Sequence, residues 1–172
     1  TYTININRQA ASANNAGGNN NQNNNNQNNT DVNITSGKYS IGTYITGIEP
    51  GTGAADFVKN IAVSASGTVK LLTSSGSENG GKIATGNKVA VYDASGNLKK
   101  TYDIVIYGDI NGDGAVNALD MIKLNRHILG KGTLTGAYLE AADANRKRDG
   151  GNALDMIIMN RHILGKSKIS QN

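Results

Sequence analysis

The chain has 172 residues and a formal net charge of +4, with no cysteine, one proline and 5% aromatic residues. So few aromatic side chains favour two small modules over one large core, and the absence of cysteine excludes a disulfide framework. No apolar run is long enough to cross a bilayer, and the basic residues are scattered rather than clustered, which argues against nucleic-acid binding.

The first 30 residues divide into two stretches. The alternation of Thr1 to Asn7 is typical of a strand, and we assign residues 1–11 to the tail of an upstream module, the alternative being a frayed tail. Residues 12–30 are almost entirely asparagine, glutamine, glycine and alanine. This composition predicts a flexible linker, the alternative being a tract that pairs into aggregates. A linker implies that any catalytic module precedes Thr1.

Residues 31–107 contain short runs of β-branched and aromatic residues separated by glycine, serine and asparagine. This texture predicts a small all-β, sandwich-like module. The turn residues at positions 94–97 have the chemistry of a hairpin between the last two strands. Strands are predicted at residues 38–48, 69–73, 88–93 and 99–107.

One short helix is predicted in the same module. Residues 53–61 place Phe57, Val58 and Ile61 on one side, which suits a helix lying on the sheet. The module has isolated carboxylates, no histidine and no cysteine, and its serines fall in turns without a nearby base. We therefore predict no catalytic residue.

A duplicated segment follows: residues 117–131 recur almost unchanged as residues 152–166. The repeat alone would suggest a helical solenoid, but the residues before it argue otherwise. Residues 109–120 form a twelve-residue loop with oxygen side chains at positions one, three, five, nine and twelve and glycine at six. A hard cation needs six to eight such oxygens, so the spacing predicts an EF-hand calcium loop. The predicted ligands are Asp109, Asn111, Asp113, Asn117 and Asp120, with the backbone oxygen of Ala115.

The second loop, residues 143–155, has thirteen residues, one too many for the pattern. Counting from its two ends places Lys147 or Arg148 at position five, and neither side chain can bind a metal. Pairing Asp149 with the fifth position of the first loop restores an acidic ligand if residues 146–148 bulge out. The alternative is a loop without calcium. The predicted ligands are Asp143, Asn145, Asp149, Gly151, Asn152 and Asp155.

Each loop is followed by a predicted helix that ends at a capping glycine, Gly130 or Gly165. A short connecting helix is expected within residues 133–142. The equivalent histidines, His127 and His162, are interpreted as surface or interface residues, because nothing supplies the further ligands of a zinc site. The positions expected to form a core shared by the two long helices are Leu119, Ile122, Leu129, Leu154, Ile157 and Leu164.

Two calcium loops without entering helices, each followed by an Asn-Arg pair, resemble a dockerin, and the resemblance covers residues 108–166. It implies a non-catalytic module, assigned to residues 108–172, that binds a cohesin and recruits a secreted protein to a polysaccharide-degrading or cell-surface complex. The near-identical copies would allow docking in two orientations. The recognition positions implied by the resemblance are Ala118, Leu119, Asn125, Arg126, Ala153, Leu154, Asn160 and Arg161.

The preceding module resembles the accessory X-modules found before dockerins in clostridial surface proteins, through residues 46–53 and the hairpin that ends near Asp109. The expected fold is therefore an α+β chain of two modules: a small all-β sandwich-like module and an all-α dockerin built from two calcium-loop–helix motifs. The direct run from strand to loop at residues 107–109 favours an alternative function, a calcium-stabilised stalk without a cohesin partner.

Overall fold

The computed structural model describes residues 31–172, so the predicted strand and linker of residues 1–30 lie outside the described residues. Within the described range, strands predominate in the first part and helices in the second. The elements are β1 (Ile34–Thr35), β2 (Ser40–Ile41), β3 (Tyr44–Thr46), α1 (Ala54–Val58), β4 (Ala62–Val63), β5 (Thr68–Leu72), β6 (Lys88–Tyr92), β7 (Leu98–Ile104), α2 (Ala118–Ile128), α3 (Gly136–Ala142) and α4 (Ala153–Ile163).

The main sheet has five strands in the order β2-β3-β7-β6-β5 and is mixed. Strand β3 runs parallel to β7, with Tyr44 opposite Asp103, whereas the other neighbouring pairs are antiparallel. Strands β1 and β4 form a separate antiparallel pair. The predicted strand at residues 38–48 is therefore two short strands, because the chain reverses between β2 and β3.

The hairpin of β6 and β7 is confirmed, with its turn at residues 94–97. One oxygen of Asp93 accepts hydrogen bonds from the amides of Ser95 and Asn97, each at 2.9 Å. The bond from the Asn97 backbone is the largest cause that lowers the pKa of Asp93 to about 2. A charged Asx turn therefore closes the hairpin at neutral pH.

The first hydrophobic core lies between the sheet and helix α1. Phe57 stacks on Tyr39 with ring centroids 5.0 Å apart, and both rings are buried with Ile61 and Ile45. The helix predicted within residues 53–61 is confirmed at Ala54–Val58, and it buries Phe57 as expected.

A second core joins the end of the sheet to the three later helices. Val105, just beyond β7, is buried with Leu124 of α2, Ala141 of α3 and Met159 of α4, and Tyr44 of β3 packs against this cluster. The expected succession of an all-β module and an all-α dockerin is therefore wrong. Residues 31–172 contain a mixed five-stranded sheet, a two-stranded antiparallel sheet and several helices, and Tyr44 of the main sheet packs against the second core.

The predicted core between the long helices is also wrong. Leu119, Ile122 and Leu129 are 55–57% exposed, and their copies are equally exposed, whereas Leu124 and Met159 are fully buried. The reason is the rotation of each helix. Asp120 is buried, and Leu124 lies one turn later on the same face. At about 100° per residue, Ile122 lies about 200° around the helix from Asp120, so it faces solvent.

Both long helices end at the glycines that the sequence predicts as caps. Gly130 has a φ of 65° and Gly165 a φ of 67°, a backbone conformation that favours glycine. The amide of Lys131 donates to the carbonyl of Arg126 at 2.8 Å, and an equivalent bond closes α4. This is a Schellman cap. Among residues 31–172, no helix is long and apolar enough to span a membrane.

The corrected core can be tested by paired substitutions on one helix. Leu124→Ala removes a fully buried side chain, and we expect it to lower the free energy of unfolding by about 2–5 kcal/mol. Ile122→Ala removes a side chain that is 55% exposed, and we expect a change within about 0.5 kcal/mol. Calcium-saturated denaturant unfolding measures both. Equal losses would contradict this packing.

Candidate metal centres

The first loop begins at Asp109, which lies five residues after the end of β7 and is fully buried. Its Oδ1 accepts hydrogen bonds from the amides of Gly112 at 2.9 Å and Asp113 at 3.1 Å. Its Oδ2 accepts from Gly114 at 3.1 Å and from Thr85 at 2.8 Å. The loop backbone is thus wrapped around the first predicted ligand.

Asp120 closes the other end of this loop from the first turn of α2. One oxygen accepts from the amides of Ile110 and Asn111, both at 2.8 Å, and the other accepts from Asn117 at 2.9 Å. The side chain of Asn117 accepts in return from the amide of Leu119 at 2.8 Å. Because Asp120 is both an N-terminal capping residue and a predicted ligand, it joins the start of the loop to the helix.

Asn111 and Asp113, the remaining predicted side-chain ligands of the first loop, lie side by side. The amide group of Asn111 donates to Oδ2 of Asp113 at 2.7 Å, and Oδ1 of Asp113 accepts from the amide of Ala115 at 2.9 Å. Gly112 and Gly114 have φ values of 76° and 78°, which turn the backbone around these groups. Asn111 and Asp113 are therefore adjacent, but among residues 31–172 the group of three carboxylates close enough to hold a metal ion lies in the second loop and not in this one.

The buried carboxylates of Asp109 and Asp120 have no lysine or arginine as an ion-pair partner among residues 31–172. Their burial is the largest cause that raises their pKa values. The ion pairs between side chains of residues 31–172 join Lys59 to Asp56, Lys88 to Asp103 and Lys99 to Asp93, and none involves a loop carboxylate. Buried charge is costly unless it is paired or binds a metal. The residues therefore fit a hard cation that binds oxygen, as calcium does.

The second loop repeats the closing arrangement of the first. One oxygen of Asp155 accepts from the amide of Asn145 at 2.9 Å, and the other accepts from Asn152 at 3.0 Å. Asn152 caps α4 by accepting from the amide of Leu154 at 2.7 Å. Burial raises the pKa of Asp155 as it raises that of Asp120. A buried aspartate therefore lies in the first turn of each long helix.

The middle of the second loop differs from the predicted bulge. The amide of Lys147 donates to Oδ1 of Asp143 at 3.2 Å and to Asn145 at 2.8 Å, and the amide of Arg148 donates to Oδ2 of Asp143 at 2.6 Å. These bonds repeat those of the corresponding residues in the first loop, counted from its front. Arg146 and Arg148 have φ values of 56° and 58°, where the first loop has glycines. The backbone is therefore in register, with Lys147 at position five.

Position five of the second loop is Lys147, and the carboxylate that this position provides in the first loop comes instead from Asp149, two residues later. Asp143, Asp149 and Asp155 each offer one oxygen, and these oxygens lie within 4.8 Å of one another, so the cluster can hold a metal ion. The side-chain amide of Asn145 donates to Asp149 at 3.5 Å, as that of Asn111 does to the fifth residue of the first loop.

The predicted recognition positions lie on the outer sides of α2 and α4. The leucines, asparagines and arginines of this set are exposed in both helices. The sequence prediction missed four exposed apolar residues on the same faces by assigning them to the core. The buried aspartate fixes the rotation of each helix. Counting residues from that aspartate would have identified these four side chains as exposed. The missed residues are Ile122, Leu129, Ile157 and Leu164.

The two histidines serve the segments that follow the helices. Nδ1 of His127 accepts a hydrogen bond from the amide of Leu134 at 3.3 Å, and Nδ1 of His162 accepts from Ile169 at 3.1 Å. Both rings are partly buried. Each histidine therefore holds the chain as it turns back toward the second core, a role that sequence reasoning missed.

Residues 107–164 match the family model of the dockerin type I domain. The match covers about a third of the chain and supports a dockerin module in this segment. Dockerins bind calcium, are not catalytic, and have cohesins as partners. No curated protein and no solved structure matches the chain significantly. The match rests on the segment that contains both loops and both long helices.

The altered second loop can be tested by calcium calorimetry on the intact chain. Asp149→Ala removes a carboxylate of the acidic cluster, and we expect it to weaken the second site by about tenfold or more, because affinity follows the charge of the ligands. Lys147→Ala is the matched control, since its exposed side chain should contribute no ligand. Asp120→Ala should remove the first site. If Asp149→Ala binds calcium as the unmodified chain does, this assignment of the loop is wrong.

The raised pKa values predict opposite pH effects with and without calcium. In the metal-free protein, Asp109, Asp120 and Asp155 have pKa values raised by burial. Such groups stabilise the fold below their unfolded pKa, about 3.9, and that contribution is lost as pH rises through the folded pKa. We therefore expect the metal-free chain to gain stability on acidification toward about pH 4 and the calcium-loaded chain to lose it.

Thermal unfolding across this pH range measures both curves. Asp120→Asn should flatten the metal-free curve because it removes one titrating group. Parallel curves with and without calcium would contradict the prediction.

Proposed function

We propose that residues 108–172 are a calcium-dependent cohesin-binding module that anchors its secreted parent protein to a polysaccharide-degrading or cell-surface complex. Residues 31–107, the sheet unit, precede this module. The proposal is supported by the dockerin match at residues 107–164 and by a duplicated, exposed apolar surface. The predicted calcium ligands and recognition positions belong to this proposal.

The main support for this proposal is the exposed apolar surface of α2 and α4. The outer face of α2 and the outer face of α4 present the same side-chain types, and all six apolar residues are 55–59% exposed. Exposed apolar patches of this kind are typical of protein-binding sites, and arginine is frequent among the residues that dominate binding. The outer apolar residues are Leu119, Ile122, Leu129, Leu154, Ile157 and Leu164.

Arg126 and Arg161 add positive charge to these two faces. Both are exposed and lie in the last turn of their helices. Because Asn125 and Asn160 are also equivalent, a cohesin would meet the same chemistry after a half-turn of the module. We propose two binding orientations on this basis.

Bound calcium would neutralise the negative charge of the buried aspartates, which form no ion pair with a lysine or arginine among residues 31–172. Asp120 and Asp155 accept hydrogen bonds from loop amides and so fix the first turns of α2 and α4 to the loop backbones. This fixes the rotation of each helix and therefore the direction of its outer face. Calcium dependence of cohesin binding follows, since metal binding and folding are coupled in small modules.

A stalk without a cohesin partner is the second candidate function. Its support is the close attachment of the C-terminal residues to the end of the sheet unit. The side chain of Gln171 accepts from the amide of Tyr107 at 2.8 Å and donates to its carbonyl at 3.0 Å. This attachment suits a rigid spacer, but it gives no reason for two identical exposed apolar faces.

Substitutions on one or both faces test cohesin binding directly. With a panel of cohesin modules in calcium, Ile122→Asp and Ile157→Asp should each leave one usable face and change affinity by about twofold if the two orientations are equivalent. The double variant should weaken binding by more than about 30-fold, as loss of a dominant contact does. Leu98→Asp is the matched control, because Leu98 is 56% exposed on β7, outside both faces.

Two results would contradict the proposal. Retention of no cohesin in calcium would favour the stalk. Unchanged affinity of the double variant would place the cohesin on another surface.

A further inference from the structure

The two calcium loops have different surroundings. In the second loop, the hydrogen bonds given to the first aspartate, Asp143, come from Lys147 and Arg148 of the same loop. In the first loop, Asp109 accepts an additional bond from the amide of Thr85, which belongs to the sheet unit. The sheet unit therefore contributes a donor to a predicted calcium ligand in one loop, and no counterpart of this bond exists among the described contacts of the other.

Thr85 is held firmly where it makes this contact. It is almost completely buried, and its hydroxyl both donates to the carbonyl of Ile106 at 3.2 Å and accepts from the amide of Ile106 at 3.1 Å. The next amide, that of Gly86, donates to the carbonyl of Ile104 at 2.9 Å. Thr85 is thus fixed to the chain that leads into the loop, so its amide is pre-oriented toward Asp109.

A second contact joins the sheet unit to the same loop. The amide of Gly51 donates to the carbonyl of Gly114 at 2.9 Å. A methyl group at Gly114 would collide with the backbone oxygen of Ile83. The corresponding residue of the second loop is Arg148, whose side chain is exposed. Close approach of the sheet unit explains why this turn needs glycine in the first loop and accepts arginine in the second.

We propose that the sheet unit acts as the outer coordination shell of the first calcium site: Thr85 positions the predicted ligand Asp109, and Gly51 holds the loop backbone at Gly114. The inference rests on the proposed calcium site of the first loop but not on cohesin binding. Hydrogen bonds that orient metal ligands commonly contribute about 10–100-fold in metal affinity. Because linkage is reciprocal, calcium in the first loop must also stabilise the sheet-unit segment around Thr85.

Amide hydrogen exchange on the intact chain tests this linkage. We expect calcium to slow exchange at the amides of Thr85 and Gly51 by about 5–150-fold, the usual range of coupling between sites. The same slowing should occur in Asp155→Ala, which alters only the second loop, and should be lost in Asp120→Ala. The amide of Val89, within the sheet, serves as the reference that the sheet unit stays folded.

The reciprocal experiment measures calcium affinity in two Thr85 variants. Thr85→Pro removes the donating amide and should weaken the first site by about tenfold or more without changing the second. Thr85→Val keeps the amide and controls for loss of the hydroxyl. If Thr85→Pro does not fold, the exchange measurement decides alone.

The inference is overturned if calcium leaves exchange at Thr85 unchanged, or slows it equally in Asp120→Ala. Calorimetry keeps this failure separate from failure of the proposed function. Calcium bound at the first loop without slowed exchange rejects the linkage alone, whereas loss of cohesin binding with slowed exchange rejects only the partner.

Discussion

The fold of residues 108–172 depends on four aspartates whose charge is buried inside loop backbone. Asp109 and Asp120 enclose the first loop, and Asp143 and Asp155 enclose the second, each accepting hydrogen bonds from the amides of the chain around it. Amide donors orient a carboxylate but do not neutralise it, and no lysine or arginine among residues 31–172 forms an ion pair with these groups. A bound cation resolves this imbalance, and the ligand chemistry favours calcium.

The direction of the binding surface follows from the same aspartates. Asp120 and Asp155 are buried on the inner side of the first helical turn, which places Leu124 and Met159 in the core one turn later. The outer apolar residues are then forced toward solvent in both helices. The buried aspartates therefore set the rotation of both helices, and this rotation exposes the proposed cohesin surface. The first loop adds a hydrogen bond to the sheet unit through Thr85, and this is the contact that we propose couples the two parts of the chain.

Local chemistry made much of this predictable from sequence. The hairpin of β6 and β7, the helix around Phe57 and the glycine caps follow from turn residues and periodicity, and the structure confirms them. The mixed sheet was not predictable, because the parallel pairing of β3 with β7 joins segments far apart in sequence. The helix core was assigned to the wrong face because hydrophobicity alone places leucine and isoleucine inside. The register of the second loop was not predictable from the sequence, since its backbone places Lys147 at position five while its carboxylate comes from Asp149.

The central claim is that the buried aspartates require calcium, and thermal unfolding of the intact chain against free calcium tests it most directly. We expect the unfolding temperature of the helical part to rise steadily with calcium concentration, as it must when a ligand binds only the folded state. Magnesium at the same concentration should have a much smaller effect, because it dehydrates reluctantly and keeps a smaller, octahedral shell. Identical unfolding curves in calcium, in magnesium and in a chelator would contradict the account.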